Sequence, residues 1–417
     1  MNRPGLRLRL AAVLLAATAP VAMHAQIVLP DAVNDTFRKI DNALTYESPD
    51  GQFYTRLSGQ VDLTEYYLDG QPYGLTFSNP SNNFLFAPRL TLNLESAYGD
   101  RLLFFAKFRW DDGFNPNYDY NSARLDEIFL RLAVLPGHLD LQAGKFATVF
   151  GSWSSHHDSW DDAFITAPLP YDQVTSVLDG FVLPNGAAFA SLRNAPDNNY
   201  TWVPVIWGPS YLPGIAAYGT YDKFDLAVSG TSQSLSARPD YWNNLTFNRP
   251  SFTGRFGWRP DAAWNLGVSG SVGPYLDSSA AAFLPAGASL SDFDQITTGG
   301  DASWSWHAWQ VSGEFIFSRF QVPNVGNADT FSWYVQTQYQ LTSQLAAAVR
   351  WNQQVYNQVN TATGPQDWDN NQVRLDVALN YKWNDYILTK LEYSWQHQDA
   401  SFQNGQQLVA LQLIVRF

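Results

Sequence analysis

From Phe53 to the terminal Phe417 the chain repeats one device: short runs with apolar residues at every second position, joined alternately by very tight turns and by long polar loops. Such alternation suits a sheet with one apolar face and one polar face. Sustained over this length, it predicts an all-β fold closed into a transmembrane antiparallel β-barrel. The last run, residues 407–417, places Val409, Leu411, Leu413, Val415 and Phe417 on one face and stops on an aromatic ring.

Counting alternating runs gives about sixteen strands, centred near Val61, Leu92, Phe108, Leu130, Leu141, Ala217, Val228, Phe256, Val268, Ala302, Phe315, Val335, Val349, Val377, Leu391 and Leu413. An even number returns both ends to the same side. Short reversals are expected at 98–101, 135–138, 222–223, 260–262, 307–308, 342–344 and 383–385, where turn-forming residues recur. Long connections are expected on the other side, near 69–83, 111–123, 147–213, 233–250, 274–293, 320–329, 356–369 and 399–405. Aromatic pairs flank the tight turns, as in Trp258 with Trp264 and Trp306 with Trp309, at the height where an amphipathic ring buries its body and wets its edge.

Arg3, Arg7 and Arg9 precede an apolar stretch from Leu10 to about Val21, and Ala25 is the candidate last residue of a cleaved secretory leader at 1–25. Residues 26–51 carry no alternation, although Phe37, Ile40 and Leu44 have helical spacing. A short periplasmic helix, a plug and a disordered lead-in all fit this stretch, and the barrel is expected to occupy 52–417. No cysteine is present, which excludes a lipoprotein anchor and disulfides.

Nowhere else do enough apolar residues run together for a helical membrane span, yet aromatics make up 15% of the chain. A barrel reconciles these facts, because its lipid-facing band is apolar only at alternate positions. The formal charge is −13, and loss of the three leader arginines takes it to −16. Nucleic acid is therefore excluded as a partner. Acidic loops facing lipopolysaccharide are suited to hold divalent cations, although the same acidity serves plain solubility.

With the apolar set facing lipid, the opposite parity faces water. In the first four strands that parity supplies Arg56, Arg89, Lys107, Arg109 and Arg131, mixed with Asp62, Glu95 and Glu127. A charge on the lipid face costs about 2–4 kcal/mol at mid-membrane, which assigns these side chains to the lumen. The connection after the fifth strand is the longest of all and carries Asp158, Asp161, Asp162, Asp172 and Asp179 among many aromatics. Its rings need burial, and the barrel mouth supplies a wall, so this third extracellular loop is expected to fold inward. Its acids would then face the basic wall across a narrowed section and set up a transverse field. Elsewhere, inward Arg255, Arg350, Arg374 and Lys390 balance Asp225, Asp301, Glu314, Asp376 and Glu392. Inward Tyr334 suits either stacking on a sugar ring or filling space beside the constriction.

The segment from Arg124 to Leu130, the turn at Pro136-Gly137, the run from Leu141 to Phe146 and then Phe150-Gly151 together resemble bacterial porins of the phosphate-selective O/P type and their broader relatives. The resemblance covers about thirty residues. It implies a barrel of the outer membrane of a Gram-negative bacterium, an inward third loop, a terminal aromatic read during assembly, and the homotrimer frequent in the wider porin group. Phosphate selectivity in that group draws on many lysines, whereas this chain has six, with Lys145 alone inside the matching segment. A general diffusion pore for small hydrophilic solutes and ions fits better.

No cofactor or enzyme is indicated. His156, His157 and Asp158 invite a metal reading, but adjacent residues on an extended chain point oppositely. No phosphate cradle, nucleophile elbow or zinc spacing occurs, and the remaining histidines are scattered near strand ends. The alternative to a channel is a barrel sealed by the long loop and the N-terminal segment, acting in binding or adhesion.

Overall fold

The alternation in sequence becomes alternation in space along strands β1 (Phe53–Asp69), β2 (Phe84–Tyr98), β3 (Leu102–Asp111), β4 (Ser122–Leu135), β5 (Leu139–Phe146), β6 (Leu212–Tyr221), β7 (Phe224–Thr231) and β8 (Ser251–Trp258). The second half continues with β9 (Trp264–Pro274), β10 (Asp294–Trp306), β11 (Trp309–Val322), β12 (Gly326–Gln340), β13 (Leu345–Tyr356), β14 (Gln372–Lys382), β15 (Ile387–Gln398) and β16 (Gly405–Arg416). This computed structural model describes residues 29–69, 83–111, 122–195, 201–239, 249–400 and 405–417. The expected leader lies outside the described residues, as does most of the connections expected near 69–83, 111–123 and 399–405 and the middle of the one near 233–250.

Each strand pairs antiparallel with its neighbours in chain order, and β1 pairs with β16 from Gln60↔Arg416 to Asp69↔Gln407. Closure leaves the barrel without an open edge, which is the condition for backbone to cross hydrocarbon. Each of the sixteen sequence-derived centres falls within its strand. Outward-facing Leu63, Phe108, Leu130, Val228, Phe256, Val268, Val349 and Leu411 are all exposed, as a lipid-facing band requires. Trp258, Trp264, Trp306 and Trp309 stand exposed at the end that carries the tight turns. Those turns use left-handed backbone at Gly99, Gly137, Asp222 and His307.

One expected loop is a turn. Between β11 and β12 only Pro323-Asn324-Val325 intervene, Val322 pairs with Gly326, and Asn324 supplies the left-handed residue at φ 62°. The two strands stay paired up to this turn, and Phe320, Val322 and Ala328 near their ends are buried beneath neighbouring loops. Val177, Val182 and Phe189 of the 147–211 loop meet Tyr275 and Ala280 of the β9–β10 connection, and Val359 and Trp368 beyond β13, in one apolar cluster. The last of these connections folds into its own small hairpin, Gln358–Thr361 with Gly364–Asp367.

At the opposite end, helix α1 (Asp31–Ala43) leads into a three-residue strand, Thr45–Glu47, that pairs with the start of β1. Phe37 stacks on Tyr386 with ring centroids 4.9 Å apart, and Asn384 Nδ2 donates to Asn34 Oδ1 at 2.7 Å. Arg56 also pairs with Asp41 of this helix at 2.9 Å. A helix this short is marginal alone, and these contacts dock it across the tight-turn rim.

Candidate pore constriction

The loop 147–211 folds into the barrel because its apolar side chains find cover there. Phe150, Phe164, Leu169 and Tyr171 are no more than 2% exposed. Its first anchor is Glu314 on β11, whose carboxylate accepts from Ser152 N (2.7 Å), Trp153 N (2.7 Å), Ser152 Oγ (2.9 Å) and Tyr171 Oη (2.5 Å). Gly151, at φ 68°, makes this approach possible: a Cβ there would lie 2.5 Å from Tyr171 Oη and 2.8 Å from Glu314 Oε2.

From this anchor the loop crosses to the basic wall. Lys107 Nζ lies 3.1 Å from Asp158 Oδ2 and 3.3 Å from Glu127 Oε1, and Arg109 Nη2 lies 4.0 Å from Asp158 Oδ1. Ser159 Oγ then donates to Asp62 on β1 at 2.7 Å. His157 sits between, with Nε2 2.5 Å from Tyr211 Oη and Nδ1 2.6 Å from Ser154 O. Burial, helped by Lys107 and Arg109, pushes its pKa down to about 4 against the pull of Asp158, so the ring is neutral. Burial acts to raise the Asp158 carboxyl, but His157, Lys107 and Arg109 outweigh it and hold the group well below the usual carboxylate range. The two histidines point to separate partners, and no group of three metal-ligating side chains forms among the described residues.

The five loop acids do not form one face. Asp158 alone meets Lys107 and Arg109. Asp162 accepts from Trp153 Nε1 at 2.9 Å, and its backbone carbonyl accepts from Lys390 on β15. Asp161 stands near Lys390 and Arg416. Asp172 lies 3.3 Å from Arg374 Nη1 on β14. Asp179 belongs to the apolar cap, where burial raises its carboxyl to about 6, Arg238 opposes the shift and Asp277 adds to it.

The basic wall is likewise divided by height. Arg89 is 3.4 Å from Asp111 and 3.8 Å from Asp62, Arg56 is turned to the helix, and Arg131 is held by Gln142 nearer the tight-turn end. A second network was not legible from strand parity: Arg109 with Asp126 at 3.0 Å, Asp126 with Arg124 at 2.9 Å, and Arg124 with Asp111 at 2.5 Å. It exists because β4 carries a bulge opposite Lys107 and Phe108, so Asp126 and Glu127 both turn into the lumen. The adjacent acids Asp126-Glu127 inside an apolar strand were its signal.

Arg350, Arg374 and Lys390, which the sequence showed only as a balanced set, clamp the far side of the loop. Arg350 Nη2 donates to Thr166 O at 2.7 Å, Arg374 to Ala167 O, and Glu392 accepts from Ile165 N and from Thr166 N. Arg350 and Asp376 pair at 2.8 Å and are fully buried. Tyr334 is 2% exposed and packs in the cluster with Phe150, Trp153 and Tyr171, so it fills space.

No family model matches this chain, and no curated protein matches it by sequence. Solved structures do match in shape. The outer membrane channel DcaP of Acinetobacter baumannii superposes with a TM-score of 0.56 at 11% identity over 89% of this chain and 99% of that one. The anion-selective porin from Comamonas acidovorans gives 0.53 at 11% over 88% and 100%. A trimer form of OmpT, an outer membrane protein of Vibrio cholerae, gives 0.51 at 9% over 88% and 100%. At these identities the likeness is one of architecture, and the chain is built as a porin-like outer-membrane β-barrel of sixteen antiparallel strands.

Proposed function

We propose that this protein is a passive diffusion channel of the Gram-negative outer membrane, admitting small hydrophilic solutes and ions past a charged constriction and acting without a cofactor. The observation that carries the reading is the meeting of Asp158 on the inward loop with Lys107 and Arg109 on the barrel wall. Beside it stand Asp62, Asp111 and Arg89, and the side chains of Arg89 and Asp158 retain 38% and 40% exposure. Opposed charges at a narrow, poorly screened section order water and favour polar solutes. Phosphate specialisation is not part of the proposal, because four of the wall's five cations, Arg56, Arg89, Lys107 and Arg109, are matched by carboxylates. Assembly as a homotrimer belongs to the same proposal, by analogy with the trimeric form of the Vibrio cholerae protein, and cross-linking in native membranes checks it.

The test is single-channel recording of the Arg89→Gln, Lys107→Gln, Arg109→Gln triple variant. The expected outcome is a reversal potential moved toward cation preference; unchanged ion preference rules out the constriction as described. The sealed-barrel alternative draws on the fully buried Arg350–Asp376 clamp and on the apolar cap, both of which close part of the lumen. A silent membrane containing folded protein favours that alternative.

A further inference from the structure

We propose that Arg131, with Phe129, Phe105 and Tyr218, forms a subsite for small organic anions whose carboxylate is carried on a flat apolar body, such as an aromatic acid. The inference deepens the channel reading by naming a solute class, and it rests on that reading for access.

Arg131 differs from the other cations of the basic wall. Arg56, Arg89, Lys107 and Arg109 each pair with a carboxylate, at 2.9, 3.4, 3.3 and 3.0 Å. Among the described residues none lies within 4.0 Å of Arg131. Glu127, the nearest inward acid up the same strand, is engaged by Lys107. What holds Arg131 is a neutral amide: Gln142 Oε1, on a residue only 3% exposed, accepts from Nε at 2.9 Å and from Nη2 at 2.6 Å. The amide fixes the plane of the guanidinium without cancelling its charge. A planar cation fixed in this way suits a carboxylate.

The second observation is independent of charge. The guanidinium lies 5.4 Å from the centroid of Phe129 and 4.9 Å from that of Tyr218, and Phe105 packs on Phe129 at 5.3 Å. All three rings face the lumen and are only partly buried. Inward Ile316, Phe320 and Tyr334 on the opposite wall are covered completely or nearly so. Aromatic surface left open to a polar channel forgoes burial unless a solute covers it. Gly144 keeps the wall tight behind Phe129: at φ 140°, a Cβ there would fall 2.1 Å from Ile128 O. Phe105 and Phe129 lie two residues, and Arg131 four residues, below the Lys107–Glu127 pair along β3 and β4, so a solute passing Asp158 reaches the cluster next.

The experiment records the chloride current of single channels in planar bilayers while benzoate, acetate or benzyl alcohol is added. In the wild type, benzoate is expected to reduce the current at a concentration at least about tenfold below either of the others, the size expected for one charge-assisted hydrogen bond. Arg131→Gln removes the advantage over benzyl alcohol, and Phe129→Ala removes the advantage over acetate. Arg131→Lys, which keeps charge but loses the planar fork, retains only part of it. Equal potency of the three compounds on the wild type, or an unchanged benzoate effect in Arg131→Gln, overturns the proposal. Heat-modifiable migration on gels establishes that each variant is folded. Should the wild type be electrically silent, the channel reading fails on its own, and saturation-transfer NMR of benzoate with detergent-folded protein then decides the subsite. Transfer lost in Arg131→Gln supports it, and absence of transfer in the wild type overturns it.

Discussion

Gly144 shows how closely a single position constrains this wall. Its φ of 140° is open to glycine and strained for other residues, and an added Cβ would meet backbone at Ile128 O and Phe129 Cα, 2.1 and 2.6 Å away. Gly144→Ala is therefore expected to lower stability by about 1–3 kcal/mol from backbone strain alone, with further loss as β4 is pushed off β5. Gly270 faces open space on the lipid side, and Gly270→Ala is expected to stay within about 0.5 kcal/mol of the wild type. Urea titration of protein folded in lipid vesicles, read by tryptophan fluorescence, separates the two; equal midpoints would contradict the assignment. Parity made the inward direction of Arg56, Arg89, Lys107, Arg109 and Arg131 legible in the sequence. It was blind to their partners, because Gln142 and Asp126 are selected by register and by a bulge.

At the scale of elements, the inward loop is held by contacts that no local pattern announces. Ile165 N and Glu392 are 227 residues apart in the chain, and Tyr171 and Glu314 are 143 apart. The aromatics of residues 150–171 foretold burial, but the wall each residue would touch depends on how the sheet closes. Glu314→Ala removes the acceptor for two backbone donors and two hydroxyls, while the strand ladder of β11 stays intact. The expected outcome is a folded barrel with larger, noisier conductance steps; steps identical to those of the wild type would show that Glu314 does not hold the loop in place.

Two loop groups give the docking opposite pH dependences. The folded pKa of His157 is depressed to about 4, so its contribution is present above the ordinary histidine value of 6.5 and is lost as pH falls from 6.5 through about 4. The folded pKa of Asp179 is raised to about 6, so its contribution is present below 3.8 and is lost as pH rises from 3.8 through about 6. Limited proteolysis across this range is expected to show the segment around His157 loosening toward acid pH. His157→Gln flattens that dependence, and Asp179→Asn flattens the opposite one near the cap. A profile unaltered by either substitution would contradict the assignments.

Taken whole, the molecule is a hoop of sixteen strands joined through β1 and β16, with charge on the inner wall and rings at the rim. That much was legible because hydrocarbon imposes a period of two on every strand, and tight turns leave residue signatures. The long β11–β12 hairpin carries no such signal at its tip, because Phe320, Val322 and Ala328 pack into the apolar cap. Helix α1 remained one of three readings because its docking depends on Tyr386 and Asn384 at the far end of the chain. The measurement that bears most directly on function is insertion of purified, folded protein into a planar lipid bilayer under applied voltage. Discrete upward current steps of uniform size are the predicted result, and a membrane that stays silent while folded protein is demonstrably inserted would contradict the account.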